Sequence, residues 1–233
     1  MRALAIADRL EDTEYQLRAL WGLWSHRMSS GDYRAGLAFA ERFRGLIEKQ
    51  PDPAARLIAD RMVGSVRLYM GDQADARRHI ERMLSRYVDP LHRSHMIRFV
   101  WDQRVAGEII LAVVLWLQGF PDQAVGTVQK TIERARASDH AISLCYKLAR
   151  ASCPVALRVS DLAAAERYVS MLLDHSAKLA MAVWSGRPRA AVSRECCRSS
   201  ATGTTLDCGF SALLWTSFAR PAPSCVIRDF SAR

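Results

Sequence analysis

Apolar residues recur along most of this chain at three- and four-residue intervals, the period of a helix with one buried face. Leu17, Leu20, Trp21 and Trp24 form one such stripe, and Leu37, Ala40, Phe43, Leu46 and Ile47 the next. Two more follow on Leu57, Ile58, Met62, Val63, Val66 and Tyr69, and on Ala76, Ile80, Met83, Leu84 and Tyr87. Between stripes stand residues that end one helix and start another. Gly31 can take left-handed dihedrals without penalty, and Asp32 is placed to accept the orphan N–H bonds of the next helix. Asp52-Pro53 is an N-cap followed by proline at the first helical position. The pattern predicts helices over 1–30, 32–49, 53–70, 72–88, 101–118, 121–137, 139–159 (capped by Asp139) and 161–178, with a longer connection from Leu91 to Val100.

These helices come in pairs, and the pairs repeat. GDYRAGLAFAERF (from Gly31), GDQADARRHIERM (from Gly71), GFPDQAVGTVQKT (from Gly119) and SDLAAAERYVSML (from Ser160) fit one template. Five residues after the turn residue the position is small: Gly36, Ala76, Ala124, Ala165. Nine after it stand Ala40, Ile80, Val128 and Val169, and one after it Asp32, Asp72 and Asp161, with Phe120 the exception. Seven before it stand Gly64, Ala112 and Cys153, small enough for close helix approach, and Trp24 in the first copy. Turn-to-turn spacings of 40, 48 and 41 residues suit helix–turn–helix units of TPR type. The expected fold is all-α: a TPR-like antiparallel helix-pair solenoid of about four repeats over residues 1–184. Gly31, Asp32, Gly71, Asp72, Gly119, Ser160 and Asp161 are its structural turn residues.

The periodicity stops near Val183-Trp184. Residues 185–233 form an irregular tail, expected to be disordered or read out of frame. From position 186 onward it holds no lysine, seven Arg, seven Ser and four Cys. The out-of-frame reading is favoured, because disordered segments seldom carry four Cys alongside Trp215.

Composition adds little. Half the residues are apolar and the net charge is +9. Lysine occurs only at Lys49, Lys130, Lys147 and Lys178, so arginine carries the excess; the bias reads as a GC-rich genome before it reads as a nucleic-acid surface. The N-terminus has no apolar core of a secretory signal. The longest uncharged apolar run, Ile109–Leu117, is about half of what spans a bilayer and suits an inner helix covered on both sides. A soluble cytoplasmic protein is expected. Cys145 and Cys153 read as small core residues.

No phosphate-binding loop, dinucleotide fingerprint, zinc-protease, serine-hydrolase or CxxC pattern occurs, so no catalytic residue and no cofactor is expected. Asp89, His92 and His95 make the best metal-like cluster, but Arg93 and Arg98 oppose a cation, and these are expected to be loop residues. Adjacent Cys196 and Cys197 make a poor chelate. Arg78, Arg82 and Arg86, four apart on one helix face, are a candidate surface for an acidic partner or phosphate backbone; Glu81 lies among them and no stacking aromatic does. Trp21, Trp24 and Trp101 are candidates for lining a partner groove on the concave face.

The stretches ALAIADRLEDTEYQLRALWGLW, ADRMVGSVRLYMGDQADARRHIERML, FVWDQR, VLWLQGFPDQA and CPVALRVSDLAAAERYVSMLLDHS carry a more specific likeness. Over residues 1–184 the chain resembles the TPR-like C-terminal region of large bacterial transcriptional regulators, in which a winged-helix DNA-binding domain and a signalling-type ATPase precede the repeats. The resemblance implies a sensing and interaction fragment of such a regulator, its partner being a protein or other domains of the parent chain. It carries over neither ATP binding nor DNA recognition, because the residues for both are missing. Nucleic acid is the less favoured partner, membrane is not expected, and an uncapped last repeat implies self-association.

Overall fold

A computed structural model describes residues 2–48, 52–88, 98–99, 102–137 and 141–178. Among them the chain is helical between short turns, without strands. Residues 2–30, expected as one helix, make two: α1 (Arg2–Arg9) and α2 (Thr13–Ser30). Glu11 takes a left-handed φ of 51°, which ends α1, and Asp12 restarts the chain by accepting the Tyr15 N–H at 3.1 Å. A cap written into the sequence outweighs an uninterrupted apolar period.

Four pairs follow. Helix α2 packs on α3 (Tyr33–Glu48), α4 (Pro53–Tyr69) on α5 (Gln73–Ser85), and α6 (Gln103–Leu117) on α7 (Pro121–Ala137). The fourth pair sets α8 (Ala141–Lys147), a π-helical turn (Leu148–Ser152) and α9 (Cys153–Arg158) against α10 (Leu162–Lys178). Successive pairs stack through α3 on α4, α5 on α6 and α7 on α8. The fold is an all-α antiparallel helix-pair solenoid.

The four intrapair turns close in the same way. Gly31, Gly71, Gly119 and Ser160 have φ of 78°, 88°, 82° and 59°. The next residue's N–H reaches back to the carbonyls of Arg27, Arg67, Leu115 and Ala156 at 2.9–3.0 Å, the long bond of a Schellman motif. Asp32, Asp72 and Asp161 then accept the N–H of Ala35, Asp75 and Ala164. Phe120 has no such oxygen, and there Pro121 opens the helix with its φ already set. Ser160 is the costly copy, since its Cβ crowds a left-handed backbone.

The small positions are where paired helices meet. Ala76, Ala124 and Ala165 are fully buried, and a Cβ placed on Gly64 would lie 2.8 Å from Ile80 and 3.2 Å from the Ala76 carbonyl. Gly107 serves the next contact, where a Cβ would lie 2.8 Å from the Met83 sulfur.

Residues 139–159 were expected as one regular helix, and the π-turn corrects this. Pro154 has no N–H to give the Arg150 carbonyl, and its ring would collide with that carbonyl in an α-helix. The chain widens by one residue instead, and the Cys153 N–H donates to the Leu148 carbonyl five residues back. Asp139, the expected cap, lies outside the described residues.

Of the long connection, Arg98 and Phe99 are described, and they pack back on the first pair. Phe99 is fully buried, its ring centroid 6.1 Å from those of Trp21 and Phe43. Arg98 pairs with Glu14 and, at 3.3 Å, with Asp52. Core residues fall into one cluster on the first two pairs and one on the last two; Leu68, Ala76, Ile80, Ile110 and Val114 bridge them. The apolar run of α6 supplies that bridge, as an inner helix covered by neighbours must.

Candidate functional site

The first helices of all four pairs turn one stripe toward a common cavity of about 70 Å³. Trp24 and Met28 come from α2, Arg61, Ser65 and Tyr69 from α4, Ala106 and Ile110 from α6, Tyr146 from α8 and Arg150 from the π-turn. Within each helix these residues are four apart, one above another on a single face.

Arg61 sits against the cavity wall, only 4% exposed. Its guanidinium lies 4.8 Å from the centroid of the Trp24 ring, a cation–π contact. Among the described residues its Nε and Nη2 have no hydrogen-bond partner. Burial pulls its pKa down to about 10, with Tyr146 and Tyr87 acting in the opposite direction. At neutral pH it therefore keeps its charge. Arg150 lies 5.8 Å from the Tyr146 ring and is hydrogen-bonded by that residue's side chain. Burial lowers its pKa, but Tyr69, Tyr146 and Tyr33 outweigh this and leave a net rise. Tyr33 and Tyr69 stack at 5.4 Å, beside this wall. The site is aromatic and cationic.

The nearest carboxylate in sequence is not available to Arg61. Asp60 points to α5, where it accepts from Arg82 Nε at 3.0 Å and meets His79 Nδ1 at 2.9 Å. Burial would raise the Asp60 pKa, but the bonds from His79 and Arg82 outweigh it and hold the carboxyl below its usual range. On α6, Glu108 is likewise engaged by Arg134.

Of the residues expected to meet a partner, Trp24 lines this cavity, and the others that are described lie elsewhere. Arg78 is exposed and pairs with Asp75, while Arg82 bridges α5 to α4 through Asp60. Arg86 is exposed and stands at the C-terminal cap of α5. Trp21 packs on Phe99, on the core side of α2; Trp24, one helical step away, is the tryptophan that lines the cavity. Trp101, Asp89, His92, His95, Cys196, Cys197 and the tail at 185–233 lie outside the described residues. Among those described, no three His, Cys, Asp or Glu side chains converge on a metal-sized site, and no helix is long and apolar enough to cross a membrane.

No family model matches this sequence, and no curated protein matches it either. Among solved structures it is similar to a crystal structure of a kinesin-light-chain-type protein of Podosopora anserina with nearly identical TPR-like repeats. The TM-score is 0.52 at 14% identity, over 82% of this chain and 97% of that one. The fold is TPR-like.

In this TPR-like solenoid the cavity-lining set was missed at the sequence level except for Trp24. One signal could have found its arginines. Arg61 and Arg150 each stand ten residues before a turn residue, Gly71 and Ser160. A charged residue recurring there, within a helix that neighbours cover on both sides, is aimed at something other than solvent. A second concavity of about 660 Å³ lies open between the third and fourth turns, lined by Trp116, Pro121, Val125, Gly126 and Arg158. Arg158 stacks 4.9 Å from the Trp116 centroid.

Proposed function

We propose that this chain is a non-catalytic protein-interaction module that receives a short partner segment along its inner face. The observation that carries the reading is the convergence of aromatic and guanidinium side chains from the first, second and fourth pairs, with Ala106 and Ile110 of the third between them. Each helix alone presents a narrow stripe, and stacking turns the stripes into one recognition surface. Such a surface supplies stacking, cation–π contact and directional hydrogen bonds, the means by which a few side chains anchor a partner. The finer assignment, to the sensing and interaction arm of an ATPase-type transcriptional regulator, is supported by the likeness of the sequence stretches quoted above.

The test is selection of displayed random octapeptides on the full chain, with retained sequences measured again on Tyr146→Ala and Arg86→Ala variants. Retention that falls on Tyr146→Ala and survives Arg86→Ala is the expected result. If no sequence is enriched, or enrichment ignores Tyr146, the inner face is not the interaction surface.

A further inference from the structure

Lys147 stands next to Tyr146 in α8, and neighbouring residues of a helix point about 100° apart. One turn of α8 therefore gives Tyr146 to the inner cavity and Lys147 to the interior. Lys147 is fully buried, and its Nζ has no hydrogen-bond partner among the described residues. Its helix rests on α6, α7, α10 and the π-turn. Of these, α7 supplies the charge that acts on it, Arg134, which joins burial in opposing the ammonium form. No group of α6, α10 or the π-turn offsets that. Glu108 of α6 is engaged by Arg134 and lies 3.7 Å from Arg104 Nε.

An ammonium ion at this place lacks both water and a counter-ion. The docked fourth pair therefore excludes the proton, and undocking readmits it by returning the amine to water. The fourth pair is also a natural unit of opening. In a repeat array each pair leans chiefly on its neighbours, and this one rests on α6 and α7. Local opening follows such supersecondary units.

We propose that proton uptake by Lys147 undocks the fourth pair from the third, and with it removes Tyr146 and Arg150 from the inner face. The inference rests on the groove reading above and adds its regulation. Between the lowered value of the docked amine and about pH 10.4, the undocked state holds one more proton. Opening therefore grows about tenfold for each unit of falling pH across that window. Two other groups of the pair act with the opposite sign. Burial raises the pKa of the Cys145 thiol and of the Tyr168 phenol. Opening thus gains from their ionisation, above about pH 8.5 for the thiol and about pH 10 for the phenol. Below about pH 8.5 the lysine sets the slope.

Hydrogen exchange of the full chain, resolved by peptide and corrected for intrinsic rates, tests this between about pH 7 and 8.5, below the thiol range. Opening of α8 to α10 should rise about tenfold per unit as pH falls, while α2 to α5 stay level. Lys147→Met should abolish the slope; Lys147→Gln replaces it if the methionine variant does not fold. A flat wild-type response overturns the proposal, as does an equal slope in α2 to α5 or one that persists in these variants. An octapeptide selected on the inner face, added at about a hundred times its Kd, should suppress opening of α8 to α10 about hundredfold. Unchanged opening in its presence overturns the link between undocking and the groove. If no octapeptide is enriched, the groove reading falls, and the exchange slope still decides whether Lys147 undocks the pair.

Discussion

At the scale of single residues, two glycines in regular helix should respond to the same substitution with opposite signs. Gly22 in α2 has open space where a Cβ would go, so Gly22→Ala should stabilise by about 0.5–1 kcal/mol, the difference in helix propensity. At Gly64 the new methyl group would meet Ile80 at 2.8 Å and the Ala76 carbonyl at 3.2 Å. Gly64→Ala should therefore cost about 1–3 kcal/mol as overpacking exceeds the propensity gain. Urea unfolding of both variants checks the pair; equal signs would refute the close helix approach.

Lys147 is a second residue-scale case. It is fully buried, and its Nζ has no hydrogen-bond partner among the described residues. Burial, with Arg134 adding to it, lowers its pKa well below the usual value. Below about pH 10.4, where an unfolded lysine takes up its proton, the unfolded state binds more protons than the folded one. Stability therefore rises with pH between the folded pKa and about 10.4. Lys147→Met should stabilise by about 1–3 kcal/mol at pH 7. Its advantage over wild type should shrink as pH approaches about 10.4, as read from urea midpoints across pH. A constant advantage would show that the amine is not the source.

At the scale of elements, the repeat is held by caps and by ties between paired helices. Asp72 accepts the Asp75 N–H at 3.1 Å, and Asp72→Ala should cost about 1 kcal/mol while Phe120→Ala, at the copy with no side-chain cap oxygen, spares the turn bonds. Asp60 ties α4 to α5. Its folded pKa is lowered, so its contribution is present above about pH 3.9, the unfolded carboxyl value, and is lost as pH falls through the folded value. Asp60→Asn should cost about 1–3 kcal/mol at pH 7, and wild type and variant should converge in acid titration. These elements were legible because helix stops and caps are local: Gly31, Asp32, Asp52 and Asp72 act on backbone within a few residues. The break at Glu11 and the π-turn before Pro154 were less legible, since an apolar period runs through both and the local backbone decides.

At the scale of the molecule, two core clusters communicate through a narrow bridge of Leu68, Ala76, Ile80, Ile110 and Val114. Because each pair touches little beyond its neighbours, stability is approximately a sum of repeats and interfaces. Val114→Ala should cost about 1–3 kcal/mol by opening a cavity and should loosen coupling between the halves. Hydrogen exchange measured by peptide should then show α7 to α10 and α2 to α3 opening at separate rates. A uniform rise in exchange across all helices would instead mean one cooperative unit.

The sequence by itself determined the repeat: the turn positions, the small residues at helix contacts, the caps and the all-α pairing. Each depends on neighbours a few residues away, and backbone geometry leaves few alternatives there. Tertiary structure alone decided which face of each helix would look inward. It packed Trp21, partly buried, against Phe99 and buried Trp24 at the cavity wall, although both belong to one stripe. It spent Arg82 on Asp60 and left Arg61 Nε and Nη2 unpaired among the described residues. Arginines alike in composition acquire different roles only when stacked helices fix which carboxylates lie within reach.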